Sequence, residues 1–283
     1  GFPAGTLNVV TGLGHTAGAA LAAHPGIAKV AFTGSTPVGK QIGHAAMENL
    51  TRTTLELGGK SPVMVLADAD VEAAAAGAAQ AIFFNQGQVC TAGSRIYVHE
   101  SIHDAFVARL AEQARGLILA PGWEPTATLG PLVSAKQQSR VLAYIDQARS
   151  DGGTIVTGGG TGRDIGYFVE PTVITGLAQG SRCVQEEIFG PVVVVQTFGE
   201  LDELVTLAND SPYGLAASIW SNDLSAVNRL VPEIEAGSVW INGHNLLDAC
   251  MPFGGFKQSG IGRELSDSLI EHYTEQKSVV MIV

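Results

Sequence analysis

Cys90 stands in the sequence setting that best suits a nucleophile. It follows Phe84–Val89, an amide-rich segment at the end of a predicted helix, and glycines flank it on both sides. Most free cysteines are small buried hydrophobic residues, so this segment alone favours a structural thiol over a nucleophile. Cys183 and Cys250 lack such surroundings and are predicted to be structural. The seven histidines are dispersed, so a histidine-activated nucleophile has little support.

Glu56 is the candidate general base. It ends the apolar run Thr53–Leu57, directly ahead of Gly58 and Gly59. Burying a carboxylate is costly unless it is paired or protonated, and burial raises its pKa toward the range useful for a base. An edge-strand glutamate facing water would show the same pattern.

Two glycine-containing turns could bind phosphate. The segment Gly12–Gly18 is one residue too long for the GxGxxG pattern and is also a good strand-to-helix turn. In Thr33–Pro37, Gly34 lets a ligand approach the backbone, and Ser35 or Thr36 can cap the helix that Pro37 opens. That helix N-terminus offers N–H donors to a pyrophosphate, although an ordinary capped helix fits equally well.

Alternating short β-branched runs and alanine-rich stretches must position these residues, and they predict an α/β fold with a parallel sheet. The predicted strands are Leu7–Val10, Lys29–Phe32, Thr53–Leu57, Pro62–Leu66, Arg95–His99, Val192–Phe198, Leu215–Trp220 and Ser238–Asn242. The predicted helices are Thr16–His24, Pro37–Leu50, Val71–Phe84, Ile102–Leu117, Ala135–Ser150, Asp202–Asn209, Leu224–Glu235 and Glu264–His272.

Local signals refine this outline. Ser101 with Asp104, and Ser134 with Gln137, have capping-box spacing. The segment Asp151–Asp164 is expected to be a surface loop or hairpin. The apolar, β-prone tail Ser278–Val283 needs a strand partner, within the chain or on another subunit.

Composition narrows the function classes. The 283 residues are 46% apolar with a net charge of −11 and no basic stripe, which argues against nucleic-acid binding. Three widely spaced cysteines give no zinc pattern, and a reducing cytoplasm is the simplest location for them. No apolar run has the length of a membrane span, and no signal peptide is recognisable.

Together these segments resemble the aldehyde dehydrogenase superfamily. Glu56 and Cys90 stand 34 positions apart, each inside its own motif, and the matches run in family order over essentially the whole chain. The matching segments are Gly1–Val10, Phe32–Ser35, Leu55–Pro62, Phe84–Cys90, Glu186–Pro191, Tyr213–Leu215 and Pro252–Gly260.

The resemblance implies a fold, a cofactor and residue roles. The fold is a partial Rossmann-type cofactor domain (1–58), an α/β catalytic domain (59–260), and a return segment with an oligomerisation strand (261–283). Cys90 attacks the aldehyde, Glu56 activates the hydrolytic water, and Glu264 belongs to a proton relay. The implied cofactor is NAD, with NADP not excluded, and its contacts are Gly34, Ser35, Val38, Leu57, Glu187, Phe189 and, more weakly, Gln137.

The resemblance also implies a substrate pocket formed by Phe84, Val89, Leu247 and Phe253. These apolar residues favour a hydrophobic aldehyde. The loop Trp240–Ala249 is similar to that of members acting on aromatic aldehydes, and a general aliphatic aldehyde dehydrogenase is the main competitor. Two other functions stay open: a cofactor-independent cysteine esterase or acyl transferase, and a non-catalytic scaffold protein.

The chain opens without Met, on the turn-like stretch Gly1–Gly5. We expect it to be the C-terminal part of a longer member, although a processed N-terminus would look similar. Family members carry an earlier segment with an asparagine of the oxyanion hole and further cofactor contacts. We therefore expect little or no turnover from these 283 residues alone, and a homodimer or homotetramer in the full-length parent.

Overall fold

The computed structural model describes residues 1–283, and its strands and helices alternate along most of the chain. The strands are β1 (Lys29–Thr33), β2 (Arg52–Glu56), β3 (Pro62–Val65), β4 (Arg95–His99), β5 (Thr154–Thr157), β6 (Thr172–Thr175), β7 (Val192–Phe198), β8 (Tyr213–Gly214), β9 (Ala216–Trp220), β10 (Ser238–Ile241), β11 (Phe256–Lys257) and β12 (Gly260–Ile261). The α-helices are α1 (Ala19–Ala22), α2 (Thr36–Met47), α3 (Val71–Phe83), α4 (His103–Arg115), α5 (Ala135–Ser150), α6 (Arg182–Gln185), α7 (Leu201–Asn209), α8 (Leu224–Leu230) and α9 (Leu269–Tyr273).

A seven-stranded sheet forms the centre of the molecule. Its order is β10-β9-β3-β4-β7-β6-β5, and every neighbouring pair is parallel except β5 with β6. The interior strand β3 is buried along its whole length, as expected for a parallel sheet covered on both faces. The alanine-rich helix α3 packs closely on one face because small side chains let its backbone approach the sheet.

A second, three-stranded sheet has the order β1-β2-β12. β1 and β2 are parallel, and β12 pairs antiparallel with β2 through Gly260 opposite Glu56. The chain thus returns, after the large sheet is complete, to the strand that carries Glu56. This pairing makes β2 a central strand and explains why Glu56 is not an edge residue facing water.

A buried arginine ties the large sheet to the helix beside it. Arg95, in β4, is 1% exposed. Its guanidinium donates hydrogen bonds to the carbonyl oxygens of Lys60, Leu207, Ala208 and Asp210 and to the hydroxyl of Tyr97. These acceptors replace the lost hydration of the charge, since no carboxylate pairs with it.

The predicted α/β architecture is confirmed, with differences in several elements. Leu7–Val10 forms no strand and is exposed, because no neighbouring strand completes its hydrogen bonds. In place of the predicted helix Thr16–His24, a π-helical turn (Gly14–Gly18) runs directly into α1. The predicted helix Glu264–His272 is much shorter, as α9. Within Asp151–Asp164 lies β5, the first strand of a hairpin with β6. The tail Ser278–Val283 forms no strand.

The two capping-box predictions had different outcomes. Ser101 does not cap: it lies in a 3₁₀ turn, and α4 begins at His103. Ser134 does cap α5 by accepting a hydrogen bond from the Gln137 N–H at 3.2 Å. The Gln137 side chain does not complete the box, because it donates elsewhere, to the carbonyls of Ile188 and Phe189.

Candidate active site

A cleft of about 610 Å³ lies where the chain leaves β1 and β2. The segment after α3 and the loop after α6 close its other sides. The lining residues are Thr33, Gly34, Ser35, Leu57, Gly58, Asn85, Gln88, Val89, Cys90, Gln137, Arg140, Glu187 and Phe189. The cleft therefore brings together residues from five well-separated segments of the sequence, one of which is the start of α5 with Gln137 and Arg140.

A strained turn brings Cys90 to this cleft. Asn85 and Gln86 have φ angles of 48° and 58°, and Gly87 has 68°, so three consecutive left-handed residues follow shortly after the end of α3. That conformation is unfavourable for residues with a side chain, although asparagine tolerates it best. The Asn85 amide donates to the Gln88 carbonyl at 3.0 Å. At Gly87 a Cβ would lie 2.1 Å from the Gly190 carbonyl oxygen, so only glycine fits.

The Cys90 thiol is partly buried, and its environment acts on its pKa in two directions. Burial, and then the negative charge of Glu187, raise the pKa above its ordinary value, with a smaller contribution from Glu56. Hydrogen bonds from the backbone N–H groups of Thr91 and Cys90 lower it. Burial and the nearby carboxylates thus favour the protonated thiol, while the two backbone N–H groups favour the thiolate.

Glu56 is buried without a partner. The residue is 3% exposed, and neither carboxylate oxygen has a hydrogen-bond partner. Burial is the main reason that its pKa rises to about 8; the negative charge of Glu264 adds to the rise, and Arg263 opposes it. A carboxyl group with this pKa can accept and release a proton near neutral pH, which is what a general base requires.

Two glycines leave room for Glu187. A Cβ on Gly58 would lie 2.2 Å from a Glu187 carboxylate oxygen, and a Cβ on Gly59 would lie 2.5 Å from the Cys90 carbonyl oxygen. The Gly59 N–H donates to Glu187 at 3.3 Å. The Gly58-Gly59 pair therefore lets the loops carrying Cys90 and Glu187 meet against the end of β2. The pKa of Glu187 is raised by burial, against the opposing effect of the Gly59 hydrogen bond.

The loop carrying Glu187 is held from helix α5. Phe189 has a φ of 60°, which is unusual for a bulky residue. Gln137 donates to its carbonyl at 2.7 Å, and Arg140 donates to the Glu187 carbonyl at 2.7 Å. Gln137 thus acts on this loop as well as lining the cleft, and Arg140 is the only cationic side chain among the lining residues.

The N-terminus of α2 forms the wall opposite Cys90. Ser35 is the N-cap but makes no side-chain capping bond, and Pro37 is the second helical residue. Gly39 lets α2 approach β2, since a Cβ there would lie 2.3 Å from the Leu57 side chain. Val38 lies on the first turn and is 41% exposed. Gly34 and Ser35 line the cleft, whereas Gly12–Gly18 is mostly exposed and contains one π-helical turn before α1.

Glu264 lies behind Glu56. Its backbone exchanges two hydrogen bonds with Phe253, of 2.8 and 2.7 Å. Its charge contributes to the raised pKa of Glu56, so the two carboxyl groups are within electrostatic range of each other.

The four residues expected to form a substrate pocket do not share one cavity. Val89 lines the cleft with Cys90. Leu247 and Phe253 line a separate groove of about 400 Å³ with Trp240 and Met251. Phe84 is 54% exposed and lies in a groove between α3 and α4.

Sequence reasoning missed several residues that the structure places at or next to the cleft. Asn85 and Gln88 line it through the strained turn, and Arg140 lies three positions after Gln137, a spacing that puts both on one helix face. That spacing was the available signal for Arg140. His244 contacts the residue after Cys90 from 153 positions away, and no local pattern could indicate it.

Two kinds of feature are absent from the molecule. No group of three or more His, Cys, Asp or Glu side chains is arranged to hold a metal ion. No helix combines the length and apolar character that a membrane-spanning segment needs.

Comparison with known proteins identifies the class that this fold and site define. The model of the aldehyde dehydrogenase family matches residues 1–279. The chain belongs to this family.

Individual relatives support the same family assignment. Phenylacetaldehyde dehydrogenase of Pseudomonas fluorescens is 52% identical over 99% of this chain and 56% of its own length. Retinal dehydrogenase 2 of Mus musculus is 48% identical over 99% of this chain and 54% of its own. The NAD+ complex of aldehyde dehydrogenase from Bacillus cereus superposes with a TM-score of 0.93 at 49% identity, over 95% of this chain and 55% of that one. The chain thus spans about half the length of the relatives it matches.

Proposed function

We propose that this chain carries the nucleophile, the general base and part of the cofactor cleft of an NAD-dependent aldehyde dehydrogenase. The observation that carries the proposal is the placement of Cys90 and Glu187 in one cleft, with an unpartnered, buried Glu56 within electrostatic range of the thiol. A structural role requires none of these three groups.

The residues support a two-stage reaction on the Cys90 sulfur. The thiolate adds to the aldehyde carbon, giving a thiohemiacetal, and the backbone N–H of Cys90 stabilises the oxygen that becomes negative. Bound nicotinamide supplies a hydride acceptor, and loss of hydride from the thiohemiacetal leaves a thioester on Cys90. Glu56 then takes a proton from the water that attacks the thioester, which releases the carboxylic acid and returns the thiol.

The residues present fit a dinucleotide. The first turn of α2 offers backbone N–H donors to phosphate, Glu187 offers a carboxylate to ribose hydroxyls, and Phe189 and Leu57 offer apolar surface. The NAD+ found in the Bacillus cereus relative supports the same cofactor for this chain. We accordingly propose residues 1–58 as part of the cofactor domain, 59–260 as the catalytic domain, and 261–283 as the return segment, which continues from the end of β12.

We propose a hydrophobic, and specifically aromatic, aldehyde as the substrate. Val89 places an apolar side chain beside Cys90 in the cleft, and the relative named phenylacetaldehyde dehydrogenase is named for an aldehyde of this kind. A relative named retinal dehydrogenase 2 has a similar sequence identity, and retinal is a larger hydrophobic aldehyde, so the assay compares aldehydes of different size. Comparing kcat/KM for phenylacetaldehyde, hexanal and betaine aldehyde in the protein that contains this chain would decide it; a preference for betaine aldehyde would refute the proposal.

Assembly is proposed from the tail. Val279, Val280, Met281, Ile282 and Val283 are all at least 77% exposed. An exposed, apolar and β-prone segment of this kind is a natural site for strand pairing with another subunit. We expect the protein that contains this chain to be a dimer or tetramer on size-exclusion chromatography with light scattering, and to become a monomer when residues 278–283 are deleted.

Trapping the acyl intermediate tests the reaction itself. In the protein that contains this chain, Cys90→Ser should abolish NADH formation, because the oxygen nucleophile of serine is far weaker than a thiolate. Glu56→Gln should still form NADH in the first turnover and then stall, since the thioester is not hydrolysed. Intact-mass spectrometry of this variant should show an acyl adduct on Cys90.

Three outcomes would contradict the proposal. Rapid steady-state turnover by the Glu56→Gln variant would show that Glu56 is not the general base. An acyl adduct on Cys183 or Cys250 would show that this cysteine, and not Cys90, is the nucleophile. Ester hydrolysis that depends on Cys90, with no aldehyde oxidation in the same protein, would favour a cofactor-independent esterase or acyl transferase.

A further inference from the structure

A buried histidine holds the residue that follows Cys90. His244 lies after β10 and is 8% exposed. Its Nε2 lies 2.7 Å from the Thr91 carbonyl oxygen, and its Nδ1 lies 3.0 Å from the Ser218 hydroxyl in β9. The ring of Trp240 packs against it edge-on, with centroids 4.8 Å apart. His244 therefore bridges the large sheet and the Cys90 turn.

The two bonds define the protonation of the ring. A carbonyl oxygen can only accept, so Nε2 carries the hydrogen and donates it to Thr91. Nδ1 is then the acceptor, and the Ser218 hydroxyl donates to it. Burial lowers the pKa of His244 to about 4, so the ring stays neutral through the physiological range. A neutral, tautomerically fixed imidazole is a rigid bridge rather than a proton carrier.

A second contact acts on the same residue. The Thr91 hydroxyl donates to the Asn245 side-chain oxygen at 2.6 Å. Asn245 has a φ of 59°, a left-handed conformation that directs this side chain back toward Thr91 and that asparagine adopts more readily than most residues. Thr91 is 3% exposed, and both its carbonyl and its hydroxyl are thus held from one short segment, His244-Asn245.

The orientation of Thr91 matters for Cys90 because the two residues are neighbours in the turn, and the Thr91 N–H lowers the pKa of the thiol. The carbonyl at one end of Thr91 is held by His244, and the N–H at the other end belongs to the peptide bond with Cys90. Releasing the carbonyl frees the turn to rotate and weakens the effect of the Thr91 N–H on the thiol.

We propose that His244 is a positioning residue for the nucleophile, which keeps the Thr91 N–H directed at the Cys90 sulfur and so favours the thiolate. The inference rests on the proposed role of Cys90, but it is tested on the thiol itself and needs neither cofactor nor turnover. Glu187 and Glu56 are the charged groups that act on Cys90, and the substitutions below leave both in place.

The test is the pH dependence of Cys90 alkylation by iodoacetamide in the 283-residue chain. All variants carry Cys250→Ser, which removes the exposed thiol, while Cys183 is fully buried. Peptide mapping assigns the label to Cys90. His244→Phe keeps a ring but loses both bonds; His244→Gln keeps a donor for Thr91 and an acceptor for Ser218. Tyr97→Phe, which removes a buried hydroxyl remote from Thr91, is the matched control.

We expect His244→Phe to raise the alkylation midpoint by roughly 0.5 to 1 pH unit, the equivalent of weakening one hydrogen bond to the thiolate. His244→Gln should restore the midpoint, and Tyr97→Phe should lower the melting temperature without moving it. A folded His244→Phe with an unchanged midpoint overturns the proposal, as does an equal displacement in Tyr97→Phe.

If His244→Phe does not fold, Ser218→Ala decides the matter in the same assay. It removes the hydroxyl that fixes the tautomer, so a smaller rise is expected and an unchanged midpoint refutes the positioning role. If iodoacetamide does not alkylate Cys90 of the unsubstituted chain at any pH, that separate result refutes Cys90 as the nucleophile. The positioning role of His244 is then refuted as well.

Discussion

Glu56→Gln should make the protein more stable and should make its stability less dependent on pH. The native carboxyl group has a pKa of about 8, against an ordinary value of 4.5, because the protein buries it without a hydrogen-bond partner. The unfolded chain loses this proton near pH 4.5, whereas the folded protein keeps it until about pH 8. The native state is therefore penalised increasingly as pH rises through this interval.

The size of the penalty follows from the two pKa values. At about 1.36 kcal/mol per pH unit, the full difference corresponds to an upper limit of about 5 kcal/mol above pH 8. Solvent screening beside the cleft reduces this figure, and we take about 2 kcal/mol as the working value. Below pH 4.5 the penalty vanishes. The amide introduced by Glu56→Gln carries no charge at any pH and is close to the carboxyl group in size.

Urea unfolding between about pH 4.5 and 9 measures the effect. The free energy of unfolding of Glu56→Gln should exceed that of the unsubstituted chain by about 2 kcal/mol at about pH 9 and should converge with it near pH 4.5. Glu271→Gln, at an exposed position on α9, is the control and should follow the unsubstituted chain. Parallel curves for Glu56→Gln and the unsubstituted chain would refute the raised pKa and, with it, the physical basis for Glu56 as a base near neutral pH.

Three further predictions concern other parts of the molecule. Glu187→Gln should lower the pH midpoint of Cys90 alkylation by up to about one unit, since it removes the charge that opposes thiolate formation; no change would show that this charge is screened. Gly58→Ala should cost under about 1 kcal/mol of stability, because the carboxylate tip of Glu187 can move aside. It should nevertheless weaken NAD binding, measured by calorimetry, in the protein that contains this chain. Unchanged binding would show that the Glu187 carboxylate does not contact the cofactor. Arg95→Met should cost about 3 kcal/mol or more in urea unfolding, because buried carbonyl oxygens lose their donor; a cost below about 1 kcal/mol would contradict the account of its bonds.

Much of the fold was predictable from local pattern. The buried strands Pro62–Val65, Arg95–His99 and Val192–Phe198 are short runs rich in β-branched residues, and the long helices around them are alanine-rich or amphipathic. The strands that were wrongly predicted or missed share a cause. Leu7–Val10 has strand propensity but no strand beside it, and Thr172–Thr175 has too short a run to be recognised without its partner β5. A strand exists only where a neighbour completes its hydrogen bonds, and a local segment cannot show its neighbour.

The residues of the site could likewise be predicted from local motifs, whereas their electrostatic properties could not. Cys90, Glu56 and Glu187 could be named from motifs because each motif is local. Their electrostatics could not: whether Glu56 faced water or an apolar interior was an even choice until β12, from the far end of the chain, was found to cover β2. His244 is the extreme case, since its function as a bridge depends on Ser218 and Thr91, and none of the three is near another in the chain.

By itself, the sequence determined the α/β class, the family resemblance and the identity of the reactive side chains, because secondary-structure periodicity and short motifs are written in neighbouring residues. Only the tertiary structure decided the chemistry that these side chains can perform. The pKa values of Glu56, Cys90 and His244 arise from burial and from charges and donors on distant segments, and solvent exclusion is a property of the assembled fold.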